Sequence, residues 1–500
     1  MASSDRLDRR AFLRSAALGA TSLAVGGAAC GGIANRGRLV RDGGGLRTPN
    51  VLFILADQWR GQALGHAGDP NASTPALDRL ADESVTFAHA VSCVPVCCPY
   101  RATLMTGRYP TDTGVFLNDV NLAQDPNSLA ARFKQAGYDT GYIGKWHLDG
   151  QGCRLAYTPP ERRQGFSRWA AIECTHDYNN SVYYAGDDGN DRLVWSGYDA
   201  IAQTREMQRW LGERDATVPF CYFLSWGPPH DPYDEVPAEF AARFDPAAIE
   251  LRPNVTGERS AEARSNLAGY YAHIAALDAC TSDLLATLDE LGIADDTIVV
   301  FTSDHGDMHG SQGQLAKEQP WDESILVPFI LRYPAVLGRG PRALSMPIST
   351  VDILPTLVGL AGLPLPGASA ALPGRDLSPV LRQERAPDDE PALILCVSPF
   401  GVWNRSLGGK EYRGVRTSRH TYVRDLDGPW LLYDNSADPY QLTNLAGLPD
   451  YATVQSELET QLAAKLAAIG DPFREAAWYV DRWGYTVDPN DGSVPYTSSC

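Results

Sequence analysis

The run NVLFILADQWR, residues 50–60, decides the fold. From Val51 to Ala56 every position is apolar, and the run stops abruptly at Asp57-Gln58. An unbroken apolar run of this length is the pattern of a strand covered on both faces, as inside a parallel sheet flanked by helices. Four more such runs follow, at Tyr142–Ile143, Phe220–Trp226, Ile298–Phe301 and Val327–Leu331. Between them lie helical patterns, one of which carries Ile274, Leu277, Leu284, Leu288 and Leu291 on one face and is closed by Gly292 as C-cap. Strands alternating with helices predict an α/β protein on a large, mostly parallel sheet.

After about residue 385 the pattern changes. Short separated strands are expected at ALILCV, YRGVRT and HTYVRD, followed by a helix with Val454, Leu458, Leu462 and Leu466 four apart. The Pro- and Gly-rich tract GLPLPGASAALPGRD leads into this junction. The chain therefore divides into a large α/β domain over 48–385 and a smaller α+β domain over 386–500.

At 500 residues, 44% of them hydrophobic and 21% charged, the chain has enough apolar content for a large core. Its 43 basic and 61 acidic residues leave a net charge of −18. That excludes the basic footprint of a nucleic-acid binder, and an anionic small substrate would need a locally positive pocket within the acidic field.

Residues 1–30 read as a twin-arginine export signal. Arg9-Arg10 precede Phe12-Leu13, a mild Gly- and Ala-rich apolar run follows, and Ala28-Ala29-Cys30 forms an imperfect lipoprotein cleavage box. The run is too short and too Gly/Ala-rich for a membrane span. Residues 31–47 are a flexible linker. The expected location is the periplasm or cell envelope, with a lipid at Cys30 the one route to the membrane.

The ten cysteines are scattered and a core of this size needs no staples, although a Cys153–Cys174 bridge is compatible with the sequence. Cys93, Cys97 and Cys98 crowd one segment without the distant partner pair that a closed zinc site requires.

Open α/β sheets collect their ligands at the carboxyl ends of strands. Here those ends deliver Asp57-Gln58, then Lys145 and His147, then His230, then Asp304-His305. Asp57, Gln58, Asp304 and His305 offer three oxygen ligands, one nitrogen and two negative charges, a set for a divalent cation. Calcium is the first choice, with manganese or magnesium allowed by the imidazole and the amide. Arg101, Lys145, His147, His230 and Lys317 supply the donors and positive charge that a tetrahedral oxyanion needs. Pro99 suits the first turn of a helix through YRATLMTG, which puts Cys97 at a helix N-terminus where an anion or an activated nucleophile is favoured. A thiolate is nevertheless a poor ligand for a hard cation.

The segment CCPYRATLMTGRYP resembles the signature of the sulfatase family, in which the Cys of Cys-x-Pro-x-Arg is oxidised to formylglycine (3-oxoalanine). The resemblance extends through NVLFILADQWRGQALGHAG, STPALDRLADESVTFAHA, GYIGKWHL, TSDHGDMHG and LYDNSADPYQLTNLAG. It implies an alkaline-phosphatase-like fold: a large mixed sheet sandwiched by helices, then a four-stranded antiparallel sheet with a packed helix. It also implies that Cys97 is modified by a formylglycine-generating enzyme before twin-arginine translocation. Asp57, Gln58, Asp304, His305 and the modified side chain would hold the metal, and Arg101 would steady the hydrated aldehyde. Lys145 and Lys317 would hold the sulfate, His230 or Lys317 would protonate the leaving alcohol, and His147 would act as the base that releases sulfate. Tyr100 stands where Ser is commonest. Gln58 and His305 stand where many sulfatases have Asp and Asn, and the Asp-Gln and Asp-His pairs are also similar to those of phosphonate monoester hydrolases and choline sulfatases.

The substrate is expected to be a sulfate ester, on a carbohydrate by resemblance. The segment PPERRQGFSRWAAIECTHDYNNSVYY places Arg162, Arg163, His176, Asp177 and Tyr178 as candidate substrate contacts. Two alternatives stand beside this reading: a phosphonate or phosphate ester hydrolase on the same site, and an unmodified, non-catalytic glycan-binding protein.

Overall fold

The structure is a computed structural model that describes residues 41–42, 45–46, 48–150, 152–365 and 371–496. The predicted export signal, Cys30 and most of the linker lie outside the described residues.

Eleven strands form the main sheet. In chain order they are β1 (Asn50–Asp57), β2 (Val85–Val91), β3 (Asp139–Lys145), β4 (Arg168–Ile172), β5 (Val182–Ala185) and β6 (Arg192–Val194). They continue with β7 (Phe220–Pro229), β8 (Thr297–Ser303), β9 (Leu326–Val327), β10 (Phe329–Arg332) and β11 (Arg342–Ser349). Their spatial order is β9-β2-β10-β8-β1-β7-β3-β4-β5-β6, with β11 alongside β2. The apolar run Val51–Ala56 is central: β1 pairs in parallel with β8 on one side and β7 on the other. Its side chains alternate between two cores, Val51, Phe53 and Leu55 entering one and Leu52, Ile54 and Ala56 the other. Both faces are dry, which is why the run shows no polar alternation.

The expectation of a mostly parallel sheet holds for its centre, β8-β1-β7-β3-β4. Toward both edges the pairing turns antiparallel, at β10 and β2 on one side and β5 and β6 on the other. The expected strand over Val327–Leu331 is two strands, because Pro328 has no N–H to donate to a ladder.

Helices cover both faces. The longest, α4 (Ser260–Glu290), buries Ile274, Leu277, Leu284 and Leu288 in the same core as Leu52 and Ile54. Leu291 lies just beyond its end and is 36% exposed, while Gly292 takes the left-handed φ of +65°. On the same side sit α1 (Pro75–Asp82) and α3 (Asp199–Glu213). On the opposite face lie α2 (Cys97–Thr106) and α5 (Thr350–Leu360).

A separate four-stranded antiparallel sheet follows, β12 (Ala392–Cys396), β13 (Tyr412–Arg416), β14 (His420–Asp425) and β15 (Gly428–Asp434), in sequential order. Helices α6 (Ala452–Ile469) and α7 (Ala476–Trp483) accompany it. Leu395, Val415, Tyr422, Leu458 and Leu462 belong to the same core as Val51 and Phe53, so this sheet is bonded to the main one by shared apolar burial. Among the described residues no helix is long and apolar enough to cross a membrane. Cys174 is a free, buried thiol while Cys153 is disulfide-bonded, so the Cys153–Cys174 bridge is not made.

Candidate active site

The carboxyl ends of β1, β3, β7 and β8 converge as expected. Asp57 ends β1, and the chain leaves it through Gln58 at a φ of +68°. Lys145 ends β3, and the preceding Gly144 lies at φ +99°, where a Cβ would stand 2.0 Å from the Ser225 carbonyl oxygen. Only glycine lets β3 approach β7 this closely. His230 follows β7, and Asp304 and His305 follow β8. The next residue, Gly306, is equally constrained, because a Cβ there would stand 1.9 Å from the Glu323 carbonyl oxygen.

Helix α2 starts at Cys97 itself, with Val96 extended before it and Gly107 left-handed after it. Its N-terminus therefore aims the Cys97 side chain at the convergent strand ends. Cys97 Sγ lies 3.3 Å from His305 Nε2 and 3.9 Å from Asp57 Oδ1. The ammonium groups of Lys145 and Lys317 stand 3.6 and 3.5 Å from the same sulfur. Arg101, one turn along α2, bonds Asp57 Oδ2 at 3.1 Å, Asp304 Oδ2 at 3.2 Å, Ser225 Oγ at 2.8 Å and the Lys145 carbonyl at 2.7 Å. It is fully buried and ties three strand ends to the helix.

Asp57, Cys97, Asp304 and His305 each present one ligand atom, all within 4.8 Å of one another. Two carboxylates and an imidazole converging in a dry site fit a divalent cation. The sulfur is the odd member, since a hard cation would favour an oxygen there. Gln58 Oε1 faces Lys317 Nζ at 2.9 Å, on the same side as Cys97.

Electrostatics agree with the geometry. Burial alone would raise the Asp57 carboxyl, but Lys145, Arg101 and His305 hold it well below the usual carboxylate range. Burial and Asp57 push the Cys97 thiol up, yet Lys145, Lys317 and His305 bring it well below its ordinary value. Burial followed by Lys317 drives His230 well below 6.5, so it is neutral. It then accepts from Lys317 Nζ at 2.6 Å through Nε2, while its Nδ1–H donates to the Asp231 carbonyl at 2.8 Å. Burial opposes charge on His147, but Cys98, Cys174 and Asp119 raise its pKa well above 6.5.

Several partners have no signal in the sequence. Asp119 contacts His147 Nε2 at 3.0 Å, and Asp231 flanks His230. Asp119 sits in a loop that reads as an ordinary turn and only the fold brings it to His147, whereas Asp231 adjoins His230 in the chain and nothing in the sequence marks its side chain as a partner. Of the candidate substrate contacts, His176 stacks on His230 with ring centroids 4.5 Å apart, and Asp177 is exposed nearby. Arg162 is half-buried and bonds Asp149 and the Leu122 carbonyl. Arg163 and Tyr178 do not serve as substrate contacts. Arg163 is buried with its donors spent on Thr158, Asp187, Tyr157 and Gly186. Tyr178 is equally buried, its hydroxyl donating to the His230 carbonyl at 2.9 Å, so it braces the His230 loop. A cavity of about 700 Å³ lined by Arg60, Gln62, Phe87, Arg252 and Tyr440 contains none of the convergent residues and lies apart from this chemistry.

With the geometry in place, comparison with known proteins identifies the family. The sulfatase family profile matches residues 49–363, and the profile for the C-terminal part of N-sulphoglucosamine sulphohydrolase matches residues 310–468. The chain belongs to the sulfatase family. An ulvan-active sulfatase from Formosa agariphila is 43% identical to this sulfatase over 90% of its chain and 87% of the relative's. An endo-4-O-sulfatase from Bacteroides thetaiotaomicron is 31% identical over 87% of this chain and 94% of the relative's. A solved structure from Bacteroides thetaiotaomicron, of a protein from the metabolism of multiple glycosaminoglycans, superposes with a TM-score of 0.77 at 28% identity, covering 87% of this sulfatase and 98% of that chain. The fold is thus the alkaline-phosphatase-like fold of sulfatases, and the enzyme is a sulfatase.

Proposed function

We propose that this sulfatase removes sulfate from a sulfated carbohydrate, using Cys97 after its conversion to formylglycine beside a divalent cation, calcium by first choice. The observation that carries this reading is the placement of Cys97 at the N-terminus of α2, between Lys145 and Lys317 and within 4.8 Å of the Asp57, Asp304 and His305 ligand atoms. Conversion to an oxygen-bearing side chain would remove the one mismatch in the ligand set. The names of the ulvan-active and endo-4-O relatives support a glycan substrate.

Asp57, Gln58, Asp304 and His305 would hold the cation. When bound, it and the modified residue 97 would supply Lewis acidity and the attacking oxygen. The rest is done by side chains in the structure. Lys145 and Lys317, both buried cations, fix the sulfate oxygens where charge accumulates. Arg101 orients Asp57 and Asp304 and offsets part of the cost of burying their charge. Lys317 holds the proton of its 2.6 Å hydrogen bond to neutral His230, and this pair delivers a proton to the leaving alcohol oxygen as the S–O bond breaks. His147, held by Asp119, accepts the proton whose removal frees sulfate. Water is consumed, and the products are sulfate and an alcohol. His176 and Asp177 stand beside His230 as candidate contacts to the sugar, with Arg162 farther out. Residues 48–385 form the catalytic domain, 386–500 its supporting subdomain, and residues 1–30 direct export, with lipidation at Cys30 an added anchor.

The test is mass spectrometry of the tryptic peptide ending at Arg101, with and without a carbonyl-trapping hydrazide, together with turnover of sulfated oligosaccharides and a phosphonate monoester. A trapped aldehyde at residue 97 and release of sulfate from the oligosaccharide are expected. An unmodified thiol in protein from its native host defeats the mechanism, and preferential turnover of the phosphonate defeats the substrate class.

A further inference from the structure

Gln58 is neutral where the site would accommodate a carboxylate, and the group behind it explains how. Its Nε2 donates to Asp307 Oδ2 at 2.6 Å and approaches Tyr233 Oη at 3.3 Å. Tyr233 itself donates to the same Asp307 oxygen at 2.7 Å, and Asp307 Oδ1 accepts the backbone N–H of His309 at 2.8 Å. Asp307 is 1% exposed, among the described residues no lysine or arginine forms an ion pair with it, and the His309 imidazole, whose Nε2 lies 3.5 Å from Oδ2, is kept neutral by burial, which lowers its pKa to about 4. A buried carboxylate with no cation beside it is costly unless its charge is used elsewhere.

The amide orientation follows from the partners alone. A carboxylate on one side can only accept, so it takes the NH2 end. An ammonium on the other side, Lys317 Nζ at 2.9 Å, can only donate, so it takes the carbonyl end. Neither neighbour tolerates the flipped amide. Hydrogen bonding of the NH2 to a carboxylate also shifts electron density onto Oε1.

We propose that Asp307, with Tyr233, is the positioning residue of the cation site: it locks Gln58 with its carbonyl oxygen toward the Asp57–Asp304–His305 group and supplies from behind the negative charge that Gln58 lacks. The proposal rests on the reading of that group as a divalent-cation site. Outer partners of this kind typically change cation affinity by about 10- to 100-fold.

A charge exchange tests it, read as calcium affinity by competition with a chromophoric chelator in proteins with the same chemical state at residue 97. Asp307→Asn is expected to weaken calcium binding by about 10- to 100-fold. Gln58→Glu, nearly isosteric, puts a second carboxylate against Asp307 and is expected to weaken binding by about tenfold or more despite its added charge next to the cation. The double variant Gln58→Glu/Asp307→Asn moves the charge forward without changing the shape and is expected to return to within about threefold of wild type. A Gln58→Glu variant that binds calcium as tightly as wild type or more tightly overturns the proposal, as does a double variant no better than the weaker single one. If Asp307→Asn does not fold, wild type against Gln58→Glu still decides by the same criterion. Wild-type protein that takes up no calcium overturns the cation-site reading itself, a result distinct from either failure of the charge exchange.

Discussion

His147 and Asp119 show at the residue scale what a motif leaves out. His147 follows β3 in a left-handed conformation, φ +59°, and its Nε2 meets the Asp119 carboxylate at 3.0 Å. An imidazole whose pKa is raised above 6.5 is protonated at neutral pH and must lose that proton before it can act as a base. Turnover is therefore expected to rise with pH along a limb centred above 6.5. Asp119→Asn removes one source of the upward shift, so the limb moves to lower pH while kcat falls by about tenfold or more. A kcat–pH profile of the two proteins checks this, and a limb that stays in place refutes the assignment. The chemistry-bearing types, Asp57, Cys97, Arg101, Lys145, His147, His230, Asp304, His305 and Lys317, were legible in the sequence because each sits in a short motif at a strand or helix end. Asp119 was not, because it reaches His147 only through space; Asp231 adjoins His230 and Asp307 lies within TSDHGDMHG, but nothing local shows that Asp307 and Tyr233 stand behind Gln58.

At the scale of elements, two buried acids hold pieces of the molecule together in opposite electrostatic regimes. Asp278 on α4 accepts the backbone N–H groups of Ala76 and Leu77 at the start of α1, at distances from 2.8 to 3.1 Å. Burial outweighs these bonds and pushes its pKa up to about 6. A carboxyl raised in the folded state binds more protons there than in the unfolded chain, so its contribution to stability falls as pH rises from about 4 to about 6. The expected loss is about 2 kcal/mol. Asp278→Asn keeps an acceptor for α1 and removes this contribution, so the change in unfolding free energy from pH 4.5 to 6.5, read by denaturant, is expected to be about 2 kcal/mol less destabilising in the variant than in wild type. Asp471 is the converse. Its pKa is lowered because Arg413 on β13 outweighs the effect of burial, and Tyr479 on α7 bonds both residues. Asp471→Ala strands a buried guanidinium and is expected to cost about 3–5 kcal/mol, read as a fall in the denaturation midpoint. Strands β1, β3, β7, β8, β12, β13 and β14, the run that became β9 and β10, and helices α4 and α6 were visible as apolar runs and four-residue spacings, whereas β2, β11 and β15 were missed because exposed or half-buried positions interrupt their apolar runs. The edge strands β5 and β6 were not visible either, since they are short and partly or wholly exposed and carry no continuous apolar stretch.

For the whole molecule, the site is where elements far apart in the chain meet. Asp57 comes from β1, Cys97 and Arg101 from α2, and Asp304 and His305 from the end of β8, so anything that binds them bonds the centre of the sheet to the helix above it. Removing the cation with a chelator is expected to lower the melting temperature, and calcium is expected to restore it. At calcium 100-fold above the dissociation constant the stabilisation is about 2.7 kcal/mol. An unchanged melting curve through a full chelator and calcium cycle rules out a resident calcium in this site. The shared core of Val51, Phe53, Leu395, Val415 and Leu462 makes the smaller sheet part of the same cooperative body, so this transition is expected to be single.

By itself the sequence determined the alternation of strands and helices, the position of the catalytic motifs at the carboxyl ends of strands, and the family. These follow from local properties: apolar periodicity, the side chains adjoining each run, and motifs of a few residues. Tertiary structure decided which strands pair antiparallel, that Arg163 and Tyr178 serve the scaffold, that Cys174 stays free, and that Asp119 and Asp307 stand behind His147 and Gln58. Each of those depends on contacts between residues far apart in the chain, 249 positions for Gln58 and Asp307, and no local pattern carries information about a partner that only folding brings within hydrogen-bond distance.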